Sequence, residues 1–214
     1  MKNFYQYIVI EGNIGAGKTS LACKIAETYN ARLILERFGD NPFLPKFYNE
    51  PEKYSFPLEL SFLAERYMQL KNEIGNFDIF SPFTVADFYF MKSIVFASAT
   101  LQEDEFNLYR KLFNIIYQSL PKPDLYVYLH ADPPGLLRNI ARRGRGYESG
   151  IDEEYLMKIQ NSYFSWFRQN PRHTYLIIDL NNMDFVNNAI DYKKILDVIF
   201  GKKHSKGLNR VILK

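Results

Sequence analysis

Cysteine is almost absent from this sequence, as are long apolar runs and a large excess of charge of one sign. The single cysteine, Cys23, is expected to lie on the core-facing side of the first helix. One cysteine excludes an internal disulfide and suits a reducing cytoplasm. No run reaches the roughly eighteen apolar residues that suggest a membrane span, and the first ten residues lack a secretory pattern. The net charge of +3 does not indicate nucleic-acid binding. We therefore expect a cytoplasmic chain with neither a membrane nor a nucleic-acid partner.

Enough apolar material is present for one sizeable domain. The chain has 214 residues, of which 47% are hydrophobic, with 18 Phe and 16 Tyr. This length predicts a single domain over residues 1–200. Residues 201–214 are basic, and we interpret them as a solvated or partner-contacting tail. The three histidines are scattered without metal-ligand spacing.

Apolar runs alternate with helical stretches along the chain. The runs typical of buried strands are Tyr5–Ile10, Ala31–Leu35, Leu125–His130 and Tyr175–Leu180, with Phe83–Ala86 as a candidate fifth. The stretches with helical spacing are Leu58–Glu73, Asp87–Ser119, Pro133–Arg143, Glu153–Gln169 and Asp184–Phe200. This alternation predicts an α/β fold with a parallel sheet of about five strands flanked by helices. Ligands of such sheets bind at the carboxyl ends of the strands.

Residues 12–19 form a phosphate-binding loop of the pattern G-x-x-x-x-G-K-[ST], between an apolar strand and a helix. Its glycines let successive backbone N–H groups face one concavity. Lys18 is expected to lie beside the β- and γ-phosphates of ATP, and Thr19 to bind Mg²⁺. The residues that we expect to contact ATP here are Gly12, Asn13, Ile14, Gly15, Ala16, Gly17, Lys18, Thr19 and Ser20.

Carboxylates follow two of the predicted strands. Glu36 can act as a general base on an acceptor hydroxyl, although a surface glutamate in a loop is an equal alternative at this point. Asp87 is expected to serve Mg²⁺ together with Thr19, and it can also cap the following helix. Both residues belong to the ligand-binding edge of the predicted sheet.

An arginine-rich segment follows the fourth predicted strand. Four arginines lie between Arg138 and Arg145, and Gly144 and Gly146 flank the last of them. Arginines on a glycine-hinged lid can neutralise a phosphoryl group during transfer and exclude water. Alternatively, they complement a helix dipole that ends in a glycine cap. Beside a phosphate loop, we favour a lid over about residues 138–150.

From about Tyr7 to Tyr192, these motifs and their order resemble the deoxynucleoside kinases of the phosphate-loop superfamily. The loop Glu11–Thr19, Glu36 with Asn41-Pro42-Phe43-Leu44, the stretch Tyr48–Phe56 and the segment Arg143–Glu148 carry the resemblance. It implies a phosphate-loop fold, ATP and Mg²⁺ as cofactors, a deoxynucleoside substrate and a homodimer.

The resemblance also implies roles for individual residues. Glu36 would be the catalytic base, assisted by Lys18 and the lid arginines Arg143 and Arg145. Tyr48 and Glu148 would contact the sugar 3′-hydroxyl. Leu58, Glu59, Arg66 and Phe96 would surround the base, while Arg138 would contact the cofactor.

Three positions depart from the family pattern. Asp87-Phe88 lacks the usual arginine, for which Lys92 is a candidate replacement, although a lysine lacks the bidentate fork. The usual base-reading glutamine is Glu59, and the first lid arginine is shifted to Arg138 in place of Asn139. An ionised carboxylate only accepts hydrogen bonds, so Glu59 favours a purine, then deoxycytidine, and disfavours thymidine. Arg66 is expected to pair with Glu59 and fix its orientation, with a surface position as the alternative.

Two other functions compete with nucleoside phosphorylation. A nucleoside monophosphate kinase shares the loop and lid but needs arginines after the second strand, where Arg37 adjoins Glu36. A nucleotide-dependent switch would use Asp132-Pro133-Pro134-Gly135 as a D-x-x-G motif, although this motif lies late and an N-K-x-D segment is absent. Transfer of the γ-phosphoryl group to a deoxynucleoside 5′-hydroxyl remains the favoured interpretation.

Overall fold

In the computed structural model, which describes residues 4–37, 41–74, 80–181 and 183–213, a six-stranded parallel sheet forms the centre of the chain. The strand order is β2-β3-β1-β4-β5-β6. The strands are β1 (Tyr7–Gly12), β2 (Arg32–Ile34), β3 (Thr84–Ala86), β4 (Leu125–His130), β5 (Thr174–Asp179) and β6 (Gly207–Ile212). The predicted α/β fold is confirmed, with one strand more than expected.

Helices connect the strands. They are α1 (Lys18–Tyr29), α2 (Leu44–Asn49), α3 (Pro51–Ile74), α4 (Met91–Thr100), α5 (Glu103–Ser119), α6 (Pro133–Arg143), α7 (Glu153–Gln169) and α8 (Ala189–Phe200), with a 3₁₀ turn at Gly146–Glu148. Within the described ranges, no helix combines the length and apolar character needed to cross a membrane.

Strand β1 separates two hydrophobic cores. Its residues alternate between the faces of the sheet, so that Ile8 and Ile10 join one core and Tyr7 and Val9 join the other. All of β1 is buried, as expected for a central strand covered on both faces. The glycine loop that follows β1 is therefore anchored to a strand that is buried in the centre of the sheet.

The predicted helix Asp87–Ser119 is wrong, because two helices occupy this segment. Helix α4 ends at Thr100, and α5 begins after Gln102, whose side chain and that of Glu105 form a reciprocal capping box. The capping box supplies hydrogen bonds for the new helix start, which a reading of periodicity alone overlooks. Asp87 lies four residues before α4 and is therefore not its N-cap.

The C-terminal segment also differs from its sequence interpretation. Residues 207–212 pair in parallel with β5 as an edge strand, whereas we expected a solvated or partner-contacting tail. Their burial alternates between half-buried and exposed, which matches an edge strand with one covered face. The apolar members of the segment, Leu208, Val211 and Ile212, are too few to indicate a strand without the neighbouring β5.

Two smaller differences concern helices α1 and α8. The buried face of α1 comprises Leu21, Ala22, Ile25 and Ala26, so Cys23 is half-buried rather than in the core. Helix α8 begins at Ala189 because the side chain of Asn188 caps it. The segment before it, which we expected to be helical from Asp184, is a turn in which Asp184 accepts hydrogen bonds from Asn187.

Three strands end next to one another at the carboxyl edge of the sheet. Strand β1 pairs with β3, and β3 pairs with β2. The phosphate loop, Asp87 and Glu36 follow these strands in turn. The topology therefore brings three segments that are distant in sequence to one edge.

Candidate active site

The phosphate loop joins β1 to α1 through residues in left-handed conformations. Gly15 and Gly17 have φ of 80° and 83°, where a side chain would be strained. A Cβ on Gly17 would also lie 2.8 Å from the Phe185 ring. Side chains hold the loop from outside: Asn13 donates to Leu156 O at 2.7 Å, and Asn139 donates to Gly15 O at 2.9 Å.

Lys18 lies at the N-terminus of α1 with its ammonium group over the loop. Nζ donates to the carbonyl of Asn13 at 2.8 Å. Burial, followed by the charge of Lys92, lowers the pKa of Lys18 to about 7. A phosphate bound in the loop would favour the charged lysine, so nucleotide binding and protonation of Lys18 support each other.

Asp87 connects the phosphate loop to the segment after β2. Its Oδ2 accepts from Thr19 Oγ1 at 2.5 Å, and its Oδ1 accepts from the backbone N–H of Glu36 at 2.8 Å. The two oxygen-bearing side chains expected to serve Mg²⁺ therefore lie together. Within the described ranges, no cluster of three or more His, Cys, Asp or Glu residues offers another metal site.

Glu36 is a buried carboxylate between two cations. Its Oε1 accepts from Arg66 Nε at 2.8 Å and its Oε2 from Lys92 Nζ at 2.5 Å. Burial opposes ionisation of Glu36, but the charges and hydrogen bonds of Lys92 and Arg66 outweigh it and lower the pKa to about 2. Glu36 is therefore ionised at neutral pH. Its side chain is 7% exposed, so the alternative of a surface glutamate is wrong.

Arg66 does not take the partner that we expected. It pairs with Glu36 and donates from Nη1 to Ser93 Oγ at 3.0 Å, whereas the sequence interpretation paired it with Glu59. The position of Glu36 after β2 brings its carboxylate to the Arg66 guanidinium. The surface alternative is also wrong, because Arg66 is 4% exposed.

Glu59 is buried on α3 with one oxygen bonded. Its Oε1 accepts from Thr100 Oγ1 at 3.2 Å. Among the described residues, its Oε2 has no hydrogen-bond partner. Burial raises the pKa of Glu59 to about 7, against the lowering effect of Arg66.

The lid arginines are held by an acidic residue of the same segment. Arg143 Nη2 donates to both oxygens of Glu148 at 2.6 Å, and Arg145 Nη1 lies 3.5 Å from Glu148 Oε1. Tyr48 stacks on Tyr147, with ring centroids 5.9 Å apart. The C-terminus of α6 and the 3₁₀ turn thus carry charged groups towards α2.

These groups line one cavity, here called the acceptor cavity. Thirteen residues predicted for the site line it: Lys18, Thr19, Glu36, Tyr48, Leu58, Glu59, Arg66, Asp87, Lys92, Phe96, Arg143, Arg145 and Glu148. Ile14, which we assigned to the cofactor, lines it as well. Its lining thus includes residues of the phosphate loop together with Glu59 of α3.

A second, larger space, here called the phosphate cleft, adjoins the acceptor cavity and shares lining residues with it. It is lined by residues of the loop and lid that include Gly15, Ala16, Gly17, Lys18, Thr19, Ser20, Arg138, Arg143 and Arg145. Gly12 and Asn13, which we also assigned to the cofactor, are buried and shape the loop from behind. Lys18, Thr19 and the two lid arginines border both spaces, where a phosphoryl group would pass between donor and acceptor.

Sequence reasoning missed several residues of the site. Phe47, Phe62 and Tyr155 line the acceptor cavity. The spacing of Leu58 and Phe62 on one face of α3 could have indicated Phe62. Phe47 and Tyr155 lie on α2 and α7, and the sequence does not show that these helices meet α3.

Glu11 was missed as a supporting residue behind the loop. It is fully buried, and its carboxylate accepts from the backbone N–H of Tyr89 at 2.9 Å and from Tyr163 Oη at 2.8 Å. It therefore fastens the turn after Asp87 to β1. A charged residue at the end of an apolar strand was the available signal.

Comparisons with known proteins match most of the chain to one family. A family model described as deoxynucleoside kinase matches residues 8–204. A deoxyguanosine kinase of Bacillus subtilis (strain 168) is 36% identical over 197 residues, covering 90% of this chain and 95% of the relative. A deoxyadenosine kinase of Dictyostelium discoideum is 32% identical over 186 residues, covering 85% of this chain and 74% of the relative. The solved structure of deoxyadenosine kinase from M. mycoides with products dCMP and a flexible dCDP superimposes with a TM-score of 0.79, at 22% identity and with coverage of 92% and 100%, so it shares the fold.

Proposed function

Because the chain belongs to the deoxynucleoside kinase family, we propose that it transfers the γ-phosphoryl group of ATP to the 5′-hydroxyl of a purine deoxyribonucleoside. The observation that carries this proposal is the acceptor cavity, whose lining brings the ionised, buried Glu36 together with Lys18 of the phosphate loop and Glu59 of α3. A carboxylate so placed suits a neutral hydroxyl acceptor.

Glu36 draws the proton from the 5′-hydroxyl as the oxygen attacks phosphorus. Its pairs with Arg66 and Lys92 fix its orientation and hold it ionised. Lys92 also supplies a cation near the position that the family gives to arginine. Orientation and charge stabilisation are the main contributions that a protein makes to phosphoryl transfer.

Lys18, Arg143 and Arg145 neutralise the charge of the transferring group. The arginines reach the boundary of both spaces from the end of α6. Arginine forks match phosphate oxygens in two hydrogen bonds. The Glu148 carboxylate preorganises Arg143, since it accepts from the guanidinium at 2.6 Å.

Thr19 and Asp87 fit Mg²⁺, because a hydroxyl and a carboxylate oxygen lie 2.5 Å apart at the phosphate loop and hard oxygen ligands suit this ion. These two residues would hold Mg²⁺ beside the phosphates, where it would supply neutralisation of the negative charge on the nucleotide. Asp87 also keeps the Glu36 backbone in place.

The deoxynucleoside occupies the remainder of the acceptor cavity. Tyr48 and Glu148 lie at the lid end, where they contact the sugar 3′-hydroxyl, while Leu58 and Phe96 flank the base and Glu59 reads its edge. The relatives named for deoxyguanosine and deoxyadenosine support a purine. Deoxycytidine is the second candidate, since it too presents an amino group to a carboxylate.

A nucleoside monophosphate kinase is disfavoured by the position of Arg37. Its side chain is 81% exposed and pairs with Glu73 at 3.0 Å. The D-x-x-G segment of the alternative switch function forms the start of α6, with Asp132 as its N-cap. Both observations favour a nucleoside as the acceptor.

We also propose a homodimer and a cytoplasmic location. Helix α5 carries three exposed apolar side chains at helical spacing, namely Leu108, Leu112 and Ile115, with Leu60 and Met68 exposed on the neighbouring α3. Exposed apolar side chains on two neighbouring helices suit a partner copy. The single, half-buried cysteine suits a reducing compartment.

An acceptor panel tests the proposed function. ATP and Mg²⁺ are supplied with the four deoxynucleosides, the matching ribonucleosides, and thymidine and adenosine monophosphates, and ADP formation is measured. We expect the highest kcat/KM for deoxyguanosine or deoxyadenosine. A preference for thymidine would contradict the role of Glu59, and a preference for a monophosphate would contradict that of Glu36.

A further inference from the structure

Glu59 lines the acceptor cavity and has one carboxylate oxygen that lacks a partner among the described residues. The residue is 2% exposed, and its Oε2 has no hydrogen-bond partner among the described residues. Its Oε1 is held by Thr100. Because a buried polar atom without a partner is costly, the free oxygen indicates a contact with the substrate.

The two cations near Glu59, Arg66 and Lys92, form hydrogen bonds with a different carboxylate. Arg66 and Lys92 both hydrogen-bond Glu36, so Glu59 experiences them from a distance. The charged and titratable groups that act on Glu59 are Arg66 on its own helix, Lys92 on α4, Tyr109 on α5, Tyr48 on α2, Tyr155 on α7 and Glu36 after β2. Burial is the largest influence and raises the pKa of Glu59 to about 7, so both protonation states are accessible near neutral pH.

The two protonation states present different hydrogen-bonding patterns. An ionised carboxylate only accepts, whereas a protonated carboxyl donates and accepts side by side. Adenine offers an amino donor next to the N1 acceptor. Guanine offers its N1–H donor next to the O6 acceptor on one side and next to its amino donors on the other.

Resting on the proposed function, we propose that the protonation state of Glu59 selects the purine. The protonated carboxyl binds either adenine or guanine, whereas the ionised carboxylate binds guanine and excludes adenine. The ionised form matches the two adjacent donors of guanine. With adenine, the same form places an oxygen lone pair against N1, which is repulsive in a dry cavity.

The pH dependence of purine preference tests this inference. The kcat/KM values for deoxyguanosine and deoxyadenosine are measured with ATP from about pH 6 to about pH 8.5. Their ratio cancels the titration of groups that serve both substrates, including Lys18 and Glu11. We expect the ratio to be constant at the acid end and to rise by up to about tenfold per pH unit above the transition.

Substitutions identify the titrating group. Glu59→Gln keeps the shape and a donor beside an acceptor at every pH, so its ratio should be independent of pH. Glu52→Gln removes an exposed carboxylate from the same helix and should retain the wild-type curve. A constant wild-type ratio, or the same rise in Glu59→Gln, would overturn the inference.

A binding measurement keeps the inference testable if Glu59→Gln does not fold. Calorimetry of the wild-type protein in buffers of different ionisation enthalpy should detect proton uptake with deoxyadenosine at about pH 8, and less with deoxyguanosine. Equal uptake, or no deoxyadenosine turnover at about pH 6, would overturn it. Turnover of neither deoxynucleoside at any pH would instead overturn the proposed function.

Discussion

Lys92 Nζ lies 2.5 Å from Glu36 Oε2, so a lysine five residues beyond Asp87 contacts the proposed base directly. The family pattern places an arginine next to the acid at this point, whereas this chain has Phe88, which is fully buried. The first turn of α4 brings Lys92 back towards the carboxyl ends of β2 and β3. A cation is therefore present beside Glu36 despite the missing arginine.

Replacing Lys92 should move the acid limb of the pH–rate profile. Glu36 must be ionised to accept a proton; burial raises its pKa, and Lys92 is the leading influence that lowers it to about 2. In Lys92→Met the charge and hydrogen bond are lost, so the pKa of Glu36 rises and the decline in kcat at acid pH begins nearer neutrality. Profiles of kcat against pH for the wild type and the variant would measure this shift.

Two variants serve as controls for Lys92. Lys92→Arg keeps a positive charge and should keep the acid limb close to that of the wild type. Lys193→Met removes an exposed lysine of α8 and should leave the acid limb unchanged. An unmoved limb in Lys92→Met would show that Lys92 does not control the ionisation of Glu36.

Glu36→Gln should lower kcat by about 10²- to 10⁴-fold, the usual contribution of a general base. ATP binding should change little, because Glu36 faces the acceptor. Single-turnover rates and the Kd for ATP would separate these effects. Activity equal to that of the wild type would refute the assignment of the base.

The same substitution predicts a change in acid stability. Since the pKa of Glu36 falls from 4.5 to about 2 on folding, the carboxylate stabilises the fold above about pH 4.5, and this stabilisation is lost as the pH falls through about 2. Urea unfolding at several pH values should show a shallower acid loss for Glu36→Gln. At neutral pH the variant should be less stable by about 3 kcal/mol, because Arg66 and Lys92 lose their buried partner.

Thr19 and Asp87 should govern the Mg²⁺ requirement. Asp87→Asn and Thr19→Ala each remove an oxygen contact and should raise the Mg²⁺ concentration needed for half-maximal activity, while Thr19→Ser keeps the hydroxyl and should stay near the wild type. Titration of activity with Mg²⁺ at fixed ATP would measure this. Identical titration curves for Thr19→Ala and Thr19→Ser would contradict a role for the hydroxyl.

Glu148 should determine recognition of the sugar 3′-hydroxyl. Glu148→Gln weakens a charge-assisted hydrogen bond, so KM for the deoxynucleoside should rise about tenfold, and the preference over the 3′-deoxy analogue should fall by a similar factor. Glu153→Gln, at an exposed position of α7, is the matched control. A variant with higher KM but an unchanged preference would indicate that Glu148 acts by holding Arg143 alone.

Ile115→Glu should dissociate the proposed homodimer. Ile115 is 71% exposed on α5, so the charge should be tolerated by the folded chain but not by an apolar interface. Ile190→Glu, at a site 68% exposed on α8, is the control. Sedimentation would report the mass, and a monomeric wild-type protein would contradict the proposed assembly.

Much of the nucleotide side of the site could be predicted from local sequence. The phosphate loop is a continuous run whose glycines, lysine and threonine have roles set by backbone geometry. Glu36 and Asp87 could be placed because each follows a short apolar strand, and the carboxyl ends of parallel strands share one edge. Such inferences depend on neighbours along the chain, which a sequence displays directly.

The partners of buried charges depended on packing between distant segments. Arg66 was expected to pair with Glu59, but the arrangement of α3 against the end of β2 gives it Glu36. That Glu59 Oε2 would lack a hydrogen-bond partner among the described residues could not be foreseen. Likewise, β6 is a strand because β5 offers it an edge to pair with. A local pattern specifies which elements a segment favours, but the lowest-energy pairing of buried charges and strand edges emerges when the elements pack together.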